Sequence, residues 1–190
     1  MVFRMLFLAC LLVSPSLAAA EEAREVRGVE LPLELSVSDT PLTLNGAGVR
    51  SRFFVRVYVG ALYTAEPVSD GDTAIHLDSP RRIHLAMLRG VDRETMVDAL
   101  EDGLDDAMTD QERERHADHI EAFKNMFPGD FEEGYRGDID AIPGEGLVVS
   151  MNGEELGRIE NDAFARFVLA IWLGENPADN AVKRGMLGDS

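Results

Sequence analysis

The apolar positions change period several times along the chain, and each change predicts an element. From residue 52 to 63 they alternate, with Phe53, Val55, Val57, Val59 and Ala61 on one face and Phe54, Tyr58 and Leu62 on the other. A strand that is apolar on both faces is one covered on both sides. Strand is also predicted over 29–35, where Pro32 points to an edge position, and over 73–77. Over 82–88, Ile83, Leu85 and Met87 alternate with His84, Ala86 and Leu88. Residues 21–27 are charged and predicted to be frayed.

The period then lengthens. Met96, Val97, Leu100, Leu104, Ala107 and Met108 fall at helical spacing, with Asp98, Glu101, Asp102, Asp105 and Asp106 mostly opposite. Thr109 with Glu112 gives a capping-box signature for a second helix to about residue 126, ended by Pro128-Gly129. Strand returns over 135–142, 147–151 and 154–159, the last two joined by Asn152-Gly153, the strongest hairpin signal in the chain. Asn161 caps a helix whose stripe is Phe164, Phe167, Val168, Ile171 and Trp172, closed by Gly174. A short helix over 178–187 completes the pattern. Strands, two helices, a tight hairpin and two more helices predict an antiparallel sheet with helices on one side, an α+β fold.

The first 20 residues stand apart from this pattern. Arg4 precedes an apolar run over 5–13, Pro15 and Ser16 break it, and Ala18-Ala19-Ala20 supplies the small residues of a cleavage site. This is the layout of a secretory signal, and the run is shorter than the roughly 20 residues of a membrane span. Residues 1–20 are therefore predicted to be a signal peptide, and 21–190 one domain that is periplasmic or secreted. The single cysteine, Cys10, lies in the signal, so disulfides, thiolate chemistry and cysteine-ligated metals are excluded from the mature chain.

Charge narrows the partners. The chain carries −17, and loss of Arg4 with the signal leaves 17 basic against 35 acidic residues, or −18. A surface that negative is expected to repel nucleic acid and anionic lipid.

At Leu44-Asn45-Gly46-Ala47-Gly48-Val49-Arg50 and Val57-Tyr58-Val59-Gly60-Ala61-Leu62-Tyr63 the sequence resembles the chalcone isomerase fold family, most of all its bacterial chalcone isomerase-like branch. Ile159-Glu160-Asn161, the amphipathic helix after it, Leu173-Gly174 and a Pro-containing stretch before a final helix follow in the family's order. The resemblance implies an open-faced β-sandwich: a large antiparallel sheet, a layer of helices on one face, and a ligand cleft between them. It also implies one of two functions. The true isomerases cyclise a chalcone using an arginine on the Gly-rich segment, a threonine on the next strand, a helical tyrosine and asparagine, and a threonine near the last hairpin. The other members bind fatty acids with the same arginine and a strand tyrosine.

Carried onto this chain, Arg50 matches the shared arginine and Tyr58 the tyrosine of the fatty-acid-binding members. Val57 stands where the isomerases have threonine, no Tyr or Asn occurs between residues 91 and 108, and Glu154 falls near the last threonine position. Cyclisation requires donors where negative charge develops. Val57 offers none, and an ionised Glu154 opposes an anion.

Each candidate has a plainer reading. Arg50 either grips a carboxylate with its planar fork or pairs with a nearby acid. Gly46 and Gly48 read as turn residues that let the backbone swing Arg50 inward. Tyr58 is either a donor beside Arg50 or a core aromatic. Arg56, predicted to share a face with Tyr58, must reach an acid, a ligand or the rim, because a buried unpaired charge is very unfavourable. Glu112, His116 and His119 lie on one helical face, but no further ligand accompanies them, so no metal is expected, and no cofactor. The acidic run over 98–110 lacks the spacing of a calcium loop.

The expectation is an exported, non-catalytic protein that binds a small amphiphilic carboxylate such as a fatty acid. Arg50, Tyr58 and Arg56 are the ligand-binding candidates, and the tail is placed against Val55, Val57, Leu85, Leu100 and Leu104. The alternatives are an isomerase or intramolecular lyase on an unknown substrate, and a partner-binding scaffold with no small ligand.

Overall fold

The computed structural model describes residues 22–189; the predicted signal peptide lies outside them. Seven strands form one antiparallel sheet in sequence order: β3 (Glu34–Val37), β4 (Thr40–Arg52), β5 (Val55–Thr64), β6 (Arg81–Met87), β7 (Arg136–Ile142), β8 (Gly146–Met151) and β9 (Glu154–Ile159). Before them, β1 (Ala23–Val26) and β2 (Val29–Pro32) pair as a separate hairpin. The helices are α1 (Gly71–Ile75), α2 (Arg93–Ala107), α3 (Asp110–Arg115), α4 (Ala117–Asn125), α5 (Asp162–Leu173) and α6 (Asn180–Met186). This is the α+β architecture that the change of period predicts.

The alternation along β5 sorts the molecule into two cores. Tyr58 and Leu62 join Ile83, Leu104, Phe123, Phe164 and Trp172 beneath the helices. Val59, Ala61 and Tyr63 join Leu31, Leu42 and Ile142 on the other face, with Val26 and Val29 of the N-terminal hairpin packed against them. Strand β5 is covered on both sides, as its doubly apolar pattern requires.

Several segments depart from the sequence reading, each for a local reason. The strand predicted over 73–77 is not formed; its first residues belong to α1, because the side chain of Asp70 accepts from Thr73 N at 2.8 Å and caps a helix. Residues 23–26, predicted to be frayed, form β1, and the strand predicted over 29–35 divides between β2 and β3. The helix predicted from Thr109 keeps its capping box but breaks at His116, whose ψ of 16° ends α3 before α4 begins.

Gly46 and Gly48 lie in the middle of β4 and not in a turn. A Cβ on Gly48 would stand 2.7 Å from Val182 Cα, and one on Gly46 would collide with the carbonyl of Gly185. These glycines let α6 lie directly on the strand. Asn45, the extra residue at a break in the β4–β5 register, fastens the same contact. Its amide donates to Met186 O at 2.7 Å and to Val68 O at 2.9 Å, and its oxygen accepts from Val68 N at 2.8 Å.

Candidate functional site: a cleft at the β4–β5 tip

Beyond the glycines, β4 runs on to a two-residue turn, Phe53-Phe54, and returns as β5. A second register break lies just inside the turn: Arg50 pairs with Tyr58 but Ser51 with Arg56, so Val57 is the extra residue of a β-bulge. A bulge re-aims the side chains around it. Val55, Val57 and Tyr58 all line one cleft, whereas Arg56 is exposed and is not among the cleft residues. The simple alternation that groups Arg56 with Tyr58 fails at this bulge.

The cleft has a volume of about 340 Å³ and is partly open to solvent. Arg50, Val55, Val57 and Tyr58 form the strand side, with Arg52 and Phe53 at the tip. Opposite lie Arg89, Gly90 and Val91 from the loop after β6, and Asp92, Thr95, Met96 and Ala99 at the start of α2. The polar groups on the helix side are already engaged. Asp92 caps α2 by accepting from Thr95 N at 2.8 Å, and the Thr95 hydroxyl donates to Asp92 at 2.9 Å. These bonds hold the Asp92 carboxyl below its ordinary pKa.

Arg50 and Tyr58 are brought together. The guanidinium carbon of Arg50 lies 5.7 Å from the centre of the Tyr58 ring, and among the described residues no ion pair takes up its charge. Tyr58 is 1% exposed. Its oxygen accepts from Trp172 Nε1 at 2.9 Å, so the phenolic proton is left to donate elsewhere. Burial raises the Tyr58 pKa, outweighing the lowering effects of the Arg50 charge and of the Trp172 bond, which keeps the phenol neutral and able to donate. Trp172 is legible in the sequence as part of the α5 stripe, but its role in orienting Tyr58 is not.

Leu85, Leu100 and Leu104 do not line the cleft. Leu100 and Leu104 are buried in the core at 5% and 0% exposure, and α2 presents Thr95, Met96 and Ala99 to the cleft instead. Glu154 is exposed at the start of β9, beside a different depression lined by Pro128 and Tyr135. His116 lies 3.1 Å from His119, Nδ1 to Nδ1, and packs against Phe164 and Phe167. Among the described residues no cluster of three metal-ligating side chains occurs. Burial, then the neighbouring His119 and Arg115, lower the His116 pKa. The other dense polar group lies away from the cleft: Arg82 holds Asp140 at 2.6 and 2.7 Å, and His84 meets Asp138 at 2.7 Å.

A family model described as chalcone isomerase-like matches residues 23–188. The chain belongs to the chalcone isomerase-like family. No curated protein matches it. A solved structure with the same fold is the crystal structure of a fatty-acid binding protein from Arabidopsis thaliana, at 18% identity and a TM-score of 0.71. The likeness covers 87% of this chain and 96% of that one. At that identity it establishes the chalcone isomerase-like fold and leaves the ligand to be argued from the cleft. No helix among the described residues is long and apolar enough to cross a membrane.

Proposed function

We propose that this chain is an exported, non-catalytic binder of an amphiphilic carboxylate, with a long-chain fatty acid as the best candidate. One observation carries the reading: Arg50 stands in an apolar-walled cleft with no acidic partner among the described residues, beside a neutral Tyr58 whose oxygen accepts from Trp172 and whose proton is left to donate. A guanidinium and a phenol suit the two oxygens of a carboxylate. The tail lies against Val55, Val57, Val91, Met96 and Ala99. About 340 Å³ is within the range of small-molecule clefts, roughly 300–1,000 Å³. The fatty-acid binding protein of the same fold supports the choice of ligand class.

Cyclisation of a chalcone is disfavoured by the same geometry. Val57 lines the cleft where a donor is needed, and the Thr95 hydroxyl is engaged by Asp92. Export rests on the pattern of residues 1–20.

Mass spectrometry of protein purified mildly from a cell envelope or medium fraction tests the reading. The expected result is a chain beginning at Glu21 with a carboxylic lipid released on denaturation. A chain retaining Met1 overturns export, and a wild type that neither carries nor takes up fatty acid overturns the ligand.

A further inference from the structure

The turn between β4 and β5 is built against the ordinary rules of both backbone and surface. Phe53 and Phe54 have φ of 49° and 67°, in the left-handed region where bulky side chains are rare. Both side chains face solvent, at 85% and 105% exposure; with Val55 at 44% they are the exposed large hydrophobics of the described residues. Phe54 touches nothing that shields it, so core packing does not explain the strain. A contiguous exposed apolar tip marks a contact surface.

The charges around the tip identify the contact. Arg52, Arg56 and Arg89 are exposed, and Arg52 lies 5.7 Å from the Phe53 ring. None of them, nor Arg50, pairs with a carboxylate among the described residues. This holds in a chain where 35 acidic residues face 18 basic ones. The one carboxylate in the cleft wall, Asp92, caps α2. Salt screens charges beyond about 8 Å, so a surface meeting this tip meets the arginines and not the average charge of the protein.

We propose that the β4–β5 tip docks on an anionic lipid bilayer, with Phe53 and Phe54 entering the interfacial layer and Arg52, Arg56 and Arg89 on the phosphates. A protruding two-residue tip does not offer the roughly 800 Å² per partner of a standard protein interface. Two aromatic rings with flanking arginines do meet the requirements for interfacial lipid binding, apolar insertion together with attraction to anionic headgroups. The acidic remainder of the surface is repelled by the same bilayer, which leaves the tip as the favoured approach. The expectation from net charge, that anionic lipid is repelled, is thereby revised for this one locus. The cleft opens between the tip and the start of α2, so docking places its mouth at the lipid surface. The docking stands whether or not the cleft holds a fatty acid.

The test is co-sedimentation of the cell-processed protein with phosphatidylcholine vesicles, with and without phosphatidylglycerol, at low and high salt. Wild type is expected to bind the anionic vesicles and to leave them as salt rises. Phe54→Gly is expected to weaken partition about tenfold, and Arg56→Gln about fivefold. Phe54 and Arg56 are not cleft residues, so binding of a soluble fluorescent fatty acid should be unchanged in both variants. Phe54→Gly also relaxes the backbone, so its loss of vesicle binding cannot be assigned to unfolding. Equal partition of wild type and Phe54→Gly overturns the proposal, and so does binding indifferent to anionic lipid. Self-association that Phe54→Gly abolishes, without vesicle binding, assigns the tip to a second copy instead.

Discussion

Two hairpins of the same sheet close with the same kind of turn and opposite chemistry. Between β8 and β9, Asn152 and Gly153 take φ of 51° and 83°, the conformation that Asn-Gly adopts at least cost. Between β4 and β5, Phe53 and Phe54 take φ of 49° and 67°. Bulky residues in that region carry a backbone cost on the order of 1–3 kcal/mol each. The first turn is determined locally, and the second persists because the paired strands around it leave no other path. The strain sits beside the bulge at Val57 and the cleft that Arg50 lines, where the proposed contact surface accounts for it better than core packing does.

Gly48→Ala separates the two halves of β4. The added Cβ meets the backbone of α6 at 2.7–2.8 Å, and backbone yields less than a flexible side chain. Chemical denaturation should show a loss of about 3 kcal/mol. A stable Gly48→Ala protein with weakened ligand binding would restore the view that the glycines exist to aim Arg50. Exchanging the turns tests the comparison itself. Phe53→Asn with Phe54→Gly should raise stability by about 2 kcal/mol, and no gain would mean that the two rings make contacts which offset the strain.

The two turns also differ in how far the sequence discloses them. The Asn152-Gly153 turn, the Thr109–Glu112 box and the α5 stripe were legible because each is decided within a few residues. The doubly apolar β5 pattern was legible because burial on both faces leaves no charged position from Val57 to Tyr63. Residues 71–75 were not, since a short segment has no period and one cap at Asp70 decides it. The family resemblance pairs Arg50 with Tyr58, and the two side chains lie together in the structure. Their setting was hidden, because the bulge at Val57, the loop bearing Arg89 and the bond from Trp172 depend on segments distant in sequence. Phe53-Phe54 read as the start of a strand, since nothing local marks two phenylalanines as a turn.

Smaller effects sharpen the site. Tyr58→Phe leaves the buried Trp172 N–H without its acceptor and should lower stability by about 1–3 kcal/mol. It should weaken fatty-acid binding by only about 0.5–1.5 kcal/mol, as one net hydrogen bond. An unchanged stability would show that Trp172 has another partner. Far from the tip, His116 supplies a pH response. Its folded pKa is lowered by burial, by His119 and by Arg115, with Glu112 opposing. Fewer protons are therefore bound when folded, and the stability this group contributes is present above about pH 6.5, the unfolded value, and lost as pH falls from there through the folded value. His116→Phe should flatten that part of a stability–pH profile, whereas an unaltered slope would assign the response to other groups.

That Arg50 holds a carboxylate in the cleft is the proposal most open to direct test. It is tested by titrating wild type, Arg50→Ala and Arg50→Lys with a long-chain fatty acid, each beside its own denaturation curve. A charged hydrogen bond of about 1.5–3 kcal/mol predicts that Arg50→Ala loses roughly one to two decades of affinity at unchanged stability. Arg50→Lys should recover only part of it, because lysine keeps the charge without the planar fork. An Arg50→Ala protein that unfolds more readily while its folded fraction binds as wild type would contradict the claim and leave Arg50 a structural residue.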